Sequence, residues 1–516
     1  MQRFTSWLLG GCAAAMLAGA APAAAQYNTA GTVIYFDAVS NQTLDPQEPQ
    51  NNSSFAQGTL MAIYDALIYL DPAGNPTPGL AESWSYNPDL TEMTLKLRQG
   101  VKFHDGETFN AAVVAKNFAR SSALGTRAGF ASSETMKAIA AVEVVDDHTI
   151  RLKLKAPNGQ MPFLLGTQAG MMISPASLTE GAFGATLKPV GTGPYKARSF
   201  DSNIRTVMDR FDGYWGGKGE RPAVIEHHFV PDSKARLNAV RSGQANLALI
   251  DPRLITEAKG AGLAVQINEK NSTWDIYINV KRDNMKRLKL RQAFMFGLDR
   301  QALAEGLGYG ASKPTTQLFS SLSPVYDKSL DEMFPYDPAK AKKLVVEAGY
   351  PNGVDVNWVL LNTPEYKQIA EAIQAMLGEV GIRIKFDVVD IAQYVTFRRP
   401  PTRGDVMMTR WGGRPDPLQS FQEVTGTGGS VNPGDAAVPE IDALIEKARR
   451  LDAASPERLA VIRELNRLTI DVVSHIGIMT RSAVYAYKPG CISGLPSYLP
   501  TGNDRINDIR LGAKCK

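Results

Sequence analysis

Two guanidinium groups and an indole lie within five residues of one another, at Arg410, Trp411 and Arg414. They belong to the run 405–417, DVMMTRWGGRPDP. An indole face beside a guanidinium at a strand end suits a small, partly apolar molecule that carries negative charge. Gly412 and Gly413 let backbone approach something closely, and the prolines at 415 and 417 stiffen the exit. Arg410 is expected on the opposite side of the strand end from Trp411. The same run also reads as a strand-to-loop exit with a packing tryptophan, and Asp416 offers Arg414 an internal partner. The sequence leaves ligand contact, internal pairing and solvent exposure open for Arg414.

No catalytic constellation accompanies these groups. The five histidines are His104, His148, His227, His228 and His475. His227 and His228 are adjacent in a strand-like run, so they point to opposite faces and cannot chelate one metal. The chain contains no HExxH, CxxC or G-x-S-x-G motif. His104-Asp105-Gly106 reads as a turn after a strand, and the GTG at 191–193 lacks the Lys and Ser/Thr of a phosphate loop. Binding without a cofactor is the expectation.

Composition agrees with that. The 516 residues are 44% hydrophobic and 21% charged, with a formal net charge of +4 and no basic block. This excludes a nucleic-acid binder of the usual kind and allows a weak preference for anionic partners. Residues 1–25 read as an export leader, with Arg3, an apolar run over 7–21 and Ala23-Ala24-Ala25 before Gln26. Leu9-Gly10-Gly11-Cys12 loosely resembles a lipoprotein box, but the apolar run continues past Cys12, so cleavage after Ala25 is preferred. The mature chain then keeps Cys491 and Cys515. In an oxidising compartment they suggest a disulfide worth about 3 kcal/mol, with two free thiols as the alternative.

The elements that must position the arginines and tryptophans alternate between strand and helix. Strands are expected at 31–39, 91–97, 224–230, 245–250, 276–280, 358–361 and 382–389, and a hairpin at 142–154. Helices are expected at 110–121 with Asn110 as cap, 234–242, 290–303, from Asp337-Pro338 to Gly349, 366–380, 438–451 and 456–473. Strand, helix and strand between 224 and 250 argue for a parallel α/β lobe. Trp274 precedes the 276–280 strand, either as a second aromatic wall or as core.

The run 64–106, YDALIYLDPAGNPTPGLAESWSYNPDLTEMTLKLRQGVKFHDG, closely resembles the signature of the family 5 extracellular solute-binding proteins, the peptide/nickel-type receptors of bacterial ABC importers. VGTGPY at 190–195, RFDGYWGG at 210–217 and VPDSKARLNAVRSGQANLALI at 230–250 extend the resemblance, as do YINVKRDNMKRLKLRQAFMFGLDRQAL at 277–303, YDPAKAKKLVVEAGYPNG at 336–353 and GLPSYLPTGNDRINDI at 494–509. It implies an α/β fold of the periplasmic binding protein type II-like class, two lobes with a hinge plus an extra small domain. Domain I would comprise roughly 27–62, 190–279 and 483–516, domain II roughly 63–189 and domain III roughly 280–482. Crossings between lobes are expected near Tyr277-Ile278-Asn279 and near Arg481-Ser482.

The resemblance further implies a non-catalytic, monomeric periplasmic protein. It would bind a small peptide-like or carboxylate-bearing solute between domains I and III and hand it to an inner-membrane ABC permease. A metal-chelate receptor is the alternative, and a periplasmic hydrolase or chaperone on the same scaffold is a more distant one. The implied contacts are Asn52, Ser53 and Ser54 in the polar stretch 49–55, together with Trp411 and its neighbours Arg410, Gly412, Gly413, Arg414 and Asp416. In peptide-binding relatives an acidic residue shortly after the matching tryptophan receives the ligand's α-ammonium. Arg414 stands there in this chain, and favours a carboxylate or another anion instead.

Overall fold

The computed structural model describes residues 27–38, 41–48, 57–125, 130–179, 183–391, 393–394, 404–432, 437–495, 498–499 and 505–515. The expected leader with Cys12, and the expected contacts Asn52, Ser53 and Ser54, lie outside the described residues.

One eleven-stranded sheet runs through the molecule. Its path strands, in chain order, are β1 (Thr32–Asp37), β2 (Tyr195–Asp201), β3 (Arg205–Arg210), β4 (Val224–Phe229), β5 (Leu247–Ile250), β6 (Ala264–Ile278), β7 (Val354–Leu361), β8 (Ile382–Val389), β9 (Val406–Trp411) and β10 (His475–Tyr487). Across the sheet they run β8-β7-β9-β6-β10-β5-β1-β4-β3-β2, and the short strand Tyr498–Leu499 adds to β6. β4 and β5 are parallel, as the strand–helix–strand pattern implies, but β1 sits between them and pairs with both.

β6 and β10 hold the two halves of this sheet together. They are antiparallel and long, 15 and 13 residues. Residues 264–269 of β6 pair with 487–482 of β10, and residues 273–277 pair with 480–475, with the register broken between Glu269 and Thr273. β5 joins only the first half, through Val484–Tyr487, and β9 joins only the second, through Thr273–Ile278. The crossing on β6 therefore lies at Glu269–Thr273. The expected crossing at Tyr277–Asn279 is displaced: Tyr277 is paired on both sides, with Met407 and His475, well inside one half. The other crossing falls at Arg481, between the two paired segments of β10.

Separate apolar cores accompany the halves. One draws its buried residues from Trp274 to Met479, and others cluster on β1, β4, β5 and the C-terminal half of β10. A further core, from Leu67 to Val190, lies against a four-stranded antiparallel sheet ordered Ala81–Tyr86, Glu92–Leu97, Thr149–Leu154, Ile139–Asp146. Helix Ala111–Leu124 packs on it, with the Asn110 side chain accepting from Val113 N–H as its cap.

Several signature residues prove to be braces. The buried Asp65 carboxylate accepts from Trp215 Nε1 at 2.6 Å and Thr192 Oγ1 at 3.0 Å, and also from Tyr69. His104 Nε2 lies 2.9 Å from the Gly193 carbonyl, and burial pushes its pKa down to about 4. His227 is buried between Thr59 and Asp37. Cys491 and Cys515 form a disulfide with their Cα atoms 5.5 Å apart. The expected helix at 290–303 is broken into Leu288–Gly297 and Arg300–Gly308, because Asp299 caps the second through Ala302 N–H.

Candidate functional site

β9 delivers the arginine–tryptophan run to the crossing. In register, Trp411 faces Thr273 and Arg410 faces Trp274 of β6. Side chains alternate along a strand, so Trp411 and Arg410 emerge on opposite faces of the sheet. The two faces have different fates.

On the Trp411 face the ring is 1% exposed, and its Nε1 donates to Ser420 Oγ at 3.2 Å. Arg414 lies over it, guanidinium carbon 4.7 Å from the ring centroid. The Arg414 fork is engaged within its own lobe: Nε and Nη2 donate to both carboxylate oxygens of Glu423, at 2.6 and 2.5 Å. Of the three alternatives left open for Arg414, internal pairing is the one seen, with Glu423 in place of Asp416 as the acidic partner. Asp416 is fully buried, caps helix Pro417–Val424 through Leu418 N–H, and pairs with Arg458 at 2.7 Å. It also accepts from Gln160 Nε2 at 2.7 Å, which ties the loop to the small four-stranded unit. Gly413 has φ +65°, and a Cβ there would lie 2.1 Å from the Asn271 carbonyl oxygen. The close backbone approach is thus to β6 at the crossing, while Gly412 meets open space.

On the opposite face lies a cavity of about 100 Å³, bounded by Arg253, Trp274, Tyr309, Glu365, Met479 and Arg481. An adjoining cavity of about 400 Å³ shares Asp251, Pro252, Arg253, Arg481 and Ser482 with it. Residues from both halves of the sheet line this space. Trp274 lines it and also packs edge-on against Tyr366, centroids 5.0 Å apart. Two guanidinium carbons approach the Trp274 ring, Arg481 at 5.5 Å and Arg410 at 5.9 Å. Arg410 is 3.7 Å from Glu365. Arg253 is engaged side-on by Asp251, at 3.0 and 2.8 Å.

Arg253 and Glu365 are not singled out by the sequence, and Arg481 is marked there only as a crossing between lobes, not as a contact. They lie on three separate elements, and no local motif joins them. The one available signal is Arg481 itself, a cation inside the apolar run HIGIMTRSAVYAY. Among the described residues no cluster of three His, Cys, Asp or Glu could hold a metal ion, and no helix is long and apolar enough to cross a membrane.

Residues 75–432 match the family model described as bacterial extracellular solute-binding proteins, family 5 middle. The glutathione-binding protein GsiB of Salmonella typhi is 31% identical over 354 residues, 68% of each chain, and the GsiB of Pectobacterium atrosepticum is 31% identical over 355 residues, again 68% of each chain. Among solved structures, NikA from Brucella suis in complex with Fe(III)-EDTA superposes with a TM-score of 0.80 at 24% identity, covering 92% of this chain and 99% of that one. The binding protein AgaA of A. tumefaciens R10 in complex with agropinic acid gives 0.77 at 24%, covering 93% and 99%. DppA from Helicobacter pylori in complex with the peptide STSA gives 0.78 at 20%, covering 94% and 99%. The mixed α/β architecture described above is the fold these three share.

Proposed function

Because the chain belongs to the family 5 extracellular solute-binding proteins, the non-catalytic substrate-binding components of ABC importers, we propose that it captures a small peptide-like or carboxylate-bearing organic solute between the two halves of its sheet. The observation that carries this reading is the cavity at the crossing strands, lined from both halves, with two guanidinium groups against Trp274. A free α-ammonium finds no idle carboxylate in the 411–416 loop, since Asp416 is held by Arg458 and the nearby Glu423 by Arg414. The similarity to proteins named for glutathione binding supports a solute with peptide character and carboxylates of its own.

The domain division that accompanies this reading would place 27–62, 190–279 and 483–516 in domain I, 63–189 in domain II and 280–482 in domain III, although Trp274–Ile278 pack in the same core as 280–482, so that domain I would end near Glu269–Thr273. Domains I and III would hinge at Glu269–Thr273 and Arg481, and solute would favour the closed state through contacts made to both. The chain would be exported through its leader, act as a monomer in the periplasm and deliver its solute to an inner-membrane permease.

A metal held inside an anionic organic chelate is the second reading. The same cationic cavity favours it, because such a complex presents carboxylates and asks no metal ligand of the protein.

A thermal-shift screen tests both. Glutathione, dipeptides, opine-type acids and a ferric chelate such as Fe(III)-EDTA are each added to the purified chain. A ligand selective for the native state at a hundred times its dissociation constant stabilises by about 2.7 kcal/mol. The expected outcome is a raised melting temperature with at least one of the organic acids; a response only to the chelate favours the second reading. If none of these solutes shifts the transition of a folded sample, solute capture at this cleft is wrong.

A further inference from the structure

Resting on the reading of the cleft as a solute site, we propose that Arg481 is the anion receptor of this protein, taking one carboxylate of the solute side-on through its Nε and Nη2 while Trp274 backs the guanidinium plane.

The charge balance of the smaller cavity, whose charged lining is Asp251, Arg253, Glu365 and Arg481, points there. Asp251 and Arg253 neutralise each other in a side-on pair. Glu365 is matched by Arg410 across 3.7 Å. Arg481 is left over: among the described residues it makes no ion pair. Its one hydrogen bond uses Nη1, which donates to Ser272 Oγ at 3.2 Å. That leaves Nε and Nη2, the two parallel donors that match a carboxylate, free on a residue lining both cavities. Arg410 adds like charge over the same ring, so an anion between the two would relieve their repulsion. Burial, with Arg410 adding to it and Glu365 opposing, pushes the Arg481 pKa down to about 10.

Position makes the contact consequential. Arg481 stands at the crossing on β10, and its partner Ser272 stands at the crossing on β6. The Ser272 hydroxyl in turn donates to the Trp411 carbonyl at 2.6 Å. A carboxylate docked on Arg481 is therefore anchored where the two halves meet, and Arg481 is two hydrogen bonds, through Ser272, from the loop that leads to Asp416.

A purely structural role is the competing account, with Arg481 a brace between crossing strands. Carboxylate–amide pairs separate the two. Glutathione, N-acetylphenylalanine and succinate, each beside its carboxamide counterpart, are titrated calorimetrically into the wild-type chain and into Arg481→Gln and Arg481→Lys. We expect at least one acid to bind the wild-type chain at least tenfold more tightly than its carboxamide. Arg481→Gln should lose that acid's affinity by about 10–100-fold, the range for hydrogen bonds to a charged group, while its carboxamide binds within about twofold of wild type. Arg481→Lys, which keeps the charge and loses the fork, should recover part of the loss. A brace would cost acid and carboxamide alike, and that result, or equal acid binding by Arg481→Gln and wild type, overturns the assignment. If no acid binds the wild-type chain, the parent reading of a carboxylate-bearing solute falls, and the receptor with it. Should Arg481→Gln fail to fold, Ser272→Ala, which removes the hydroxyl that orients Nη1 along with its bond to the Trp411 carbonyl, gives the same acid-against-carboxamide comparison with a smaller loss.

Discussion

Of the indole–guanidinium pairs among the described residues, Trp411 with Arg414 and Trp274 with Arg481 lie on opposite faces of one sheet. Only the first can be seen as a local motif, and only the second borders open space between the halves. What separates them is the nearest acid. Arg414 meets Glu423, nine residues on and brought round by helix Pro417–Val424. Arg481 meets the hydroxyl of Ser272 and no carboxylate among the described residues. A cation on an aromatic ring is thus not itself a recognition feature; it becomes one when the fold withholds the counter-charge.

The closed side should be the stiffer, and its keystone is Asp416. Asp416→Ala leaves Arg458, 3% exposed at the side chain, without its carboxylate, and also removes a helix cap and the tie to Gln160. Breaking a buried ion pair by removing one partner costs about 3–5 kcal/mol. Urea unfolding should show a loss of that size, and a loss below about 1 kcal/mol would mean that the loop is held elsewhere.

A gentler substitution makes the first pair resemble the second. Glu423→Gln takes the counter-charge from Arg414 while keeping the shape of its partner. Stability should fall by about 1.5–3 kcal/mol, toward the lower figure because Arg414 is partly exposed. With that carboxylate gone from the guanidinium, sulfate should raise the melting temperature of the variant more than that of wild type. Equal responses to sulfate would show that an acid other than Glu423 sets the difference between the two pairs.

How much of this could be read from residues alone follows the same division. Elements with local punctuation were legible: Asn110, Asp337 with Pro338, and the stops at Gly349 and Gly381 lie where caps and turns place them. The two strands that matter most were not. Of β6, the expected strand covered only the tail from Ile276, because NEKNST at 268–273 is polar. Those residues are nevertheless buried at the crossing, enclosed by tertiary contacts that no periodicity records. β10 carries no alternation of apolar and polar residues because it is covered on both faces for most of its length. The candidate site suffers the same blindness. Trp411, Arg414 and Asp416 announce themselves by proximity in sequence, and two of the three are spent on internal ion pairs. Arg481 is paired in space with Trp274, more than two hundred residues away.

The smallest of the three effects examines how dry the Trp411 face is. Thr273 and Asp275 share that face with Trp411 and Thr409 through the β6–β9 register. Asp275 is fully buried; one carboxyl oxygen accepts from Thr273 Oγ1 at 2.6 Å, and the other has no partner. Burial pushes its pKa up to about 8, against about 3.9 for an unfolded aspartate. A folded-state pKa above the unfolded one gives a contribution to stability that is complete below about pH 4 and is lost as pH rises through about 8. Between pH 7 and 9 the unfolded carboxyl is already ionised, and integrating the proton excess of the folded form gives a loss of about 1.4 kcal/mol. His475 works in the opposite sense: burial holds it neutral, with its pKa pushed down to about 3, and its contribution fades only as pH falls below about 6.5. The pH 7–9 window therefore leaves His475 out, and comparison with a variant at Asp275 separates this group from any other that titrates there. Asp275→Asn, similar in shape and without a charge to exclude, should abolish this part of the decline, so that wild type loses about 1.4 kcal/mol relative to the variant between pH 7 and pH 9. Parallel stability curves would mean that water reaches Asp275, and that the two faces differ in charge balance but not in dryness.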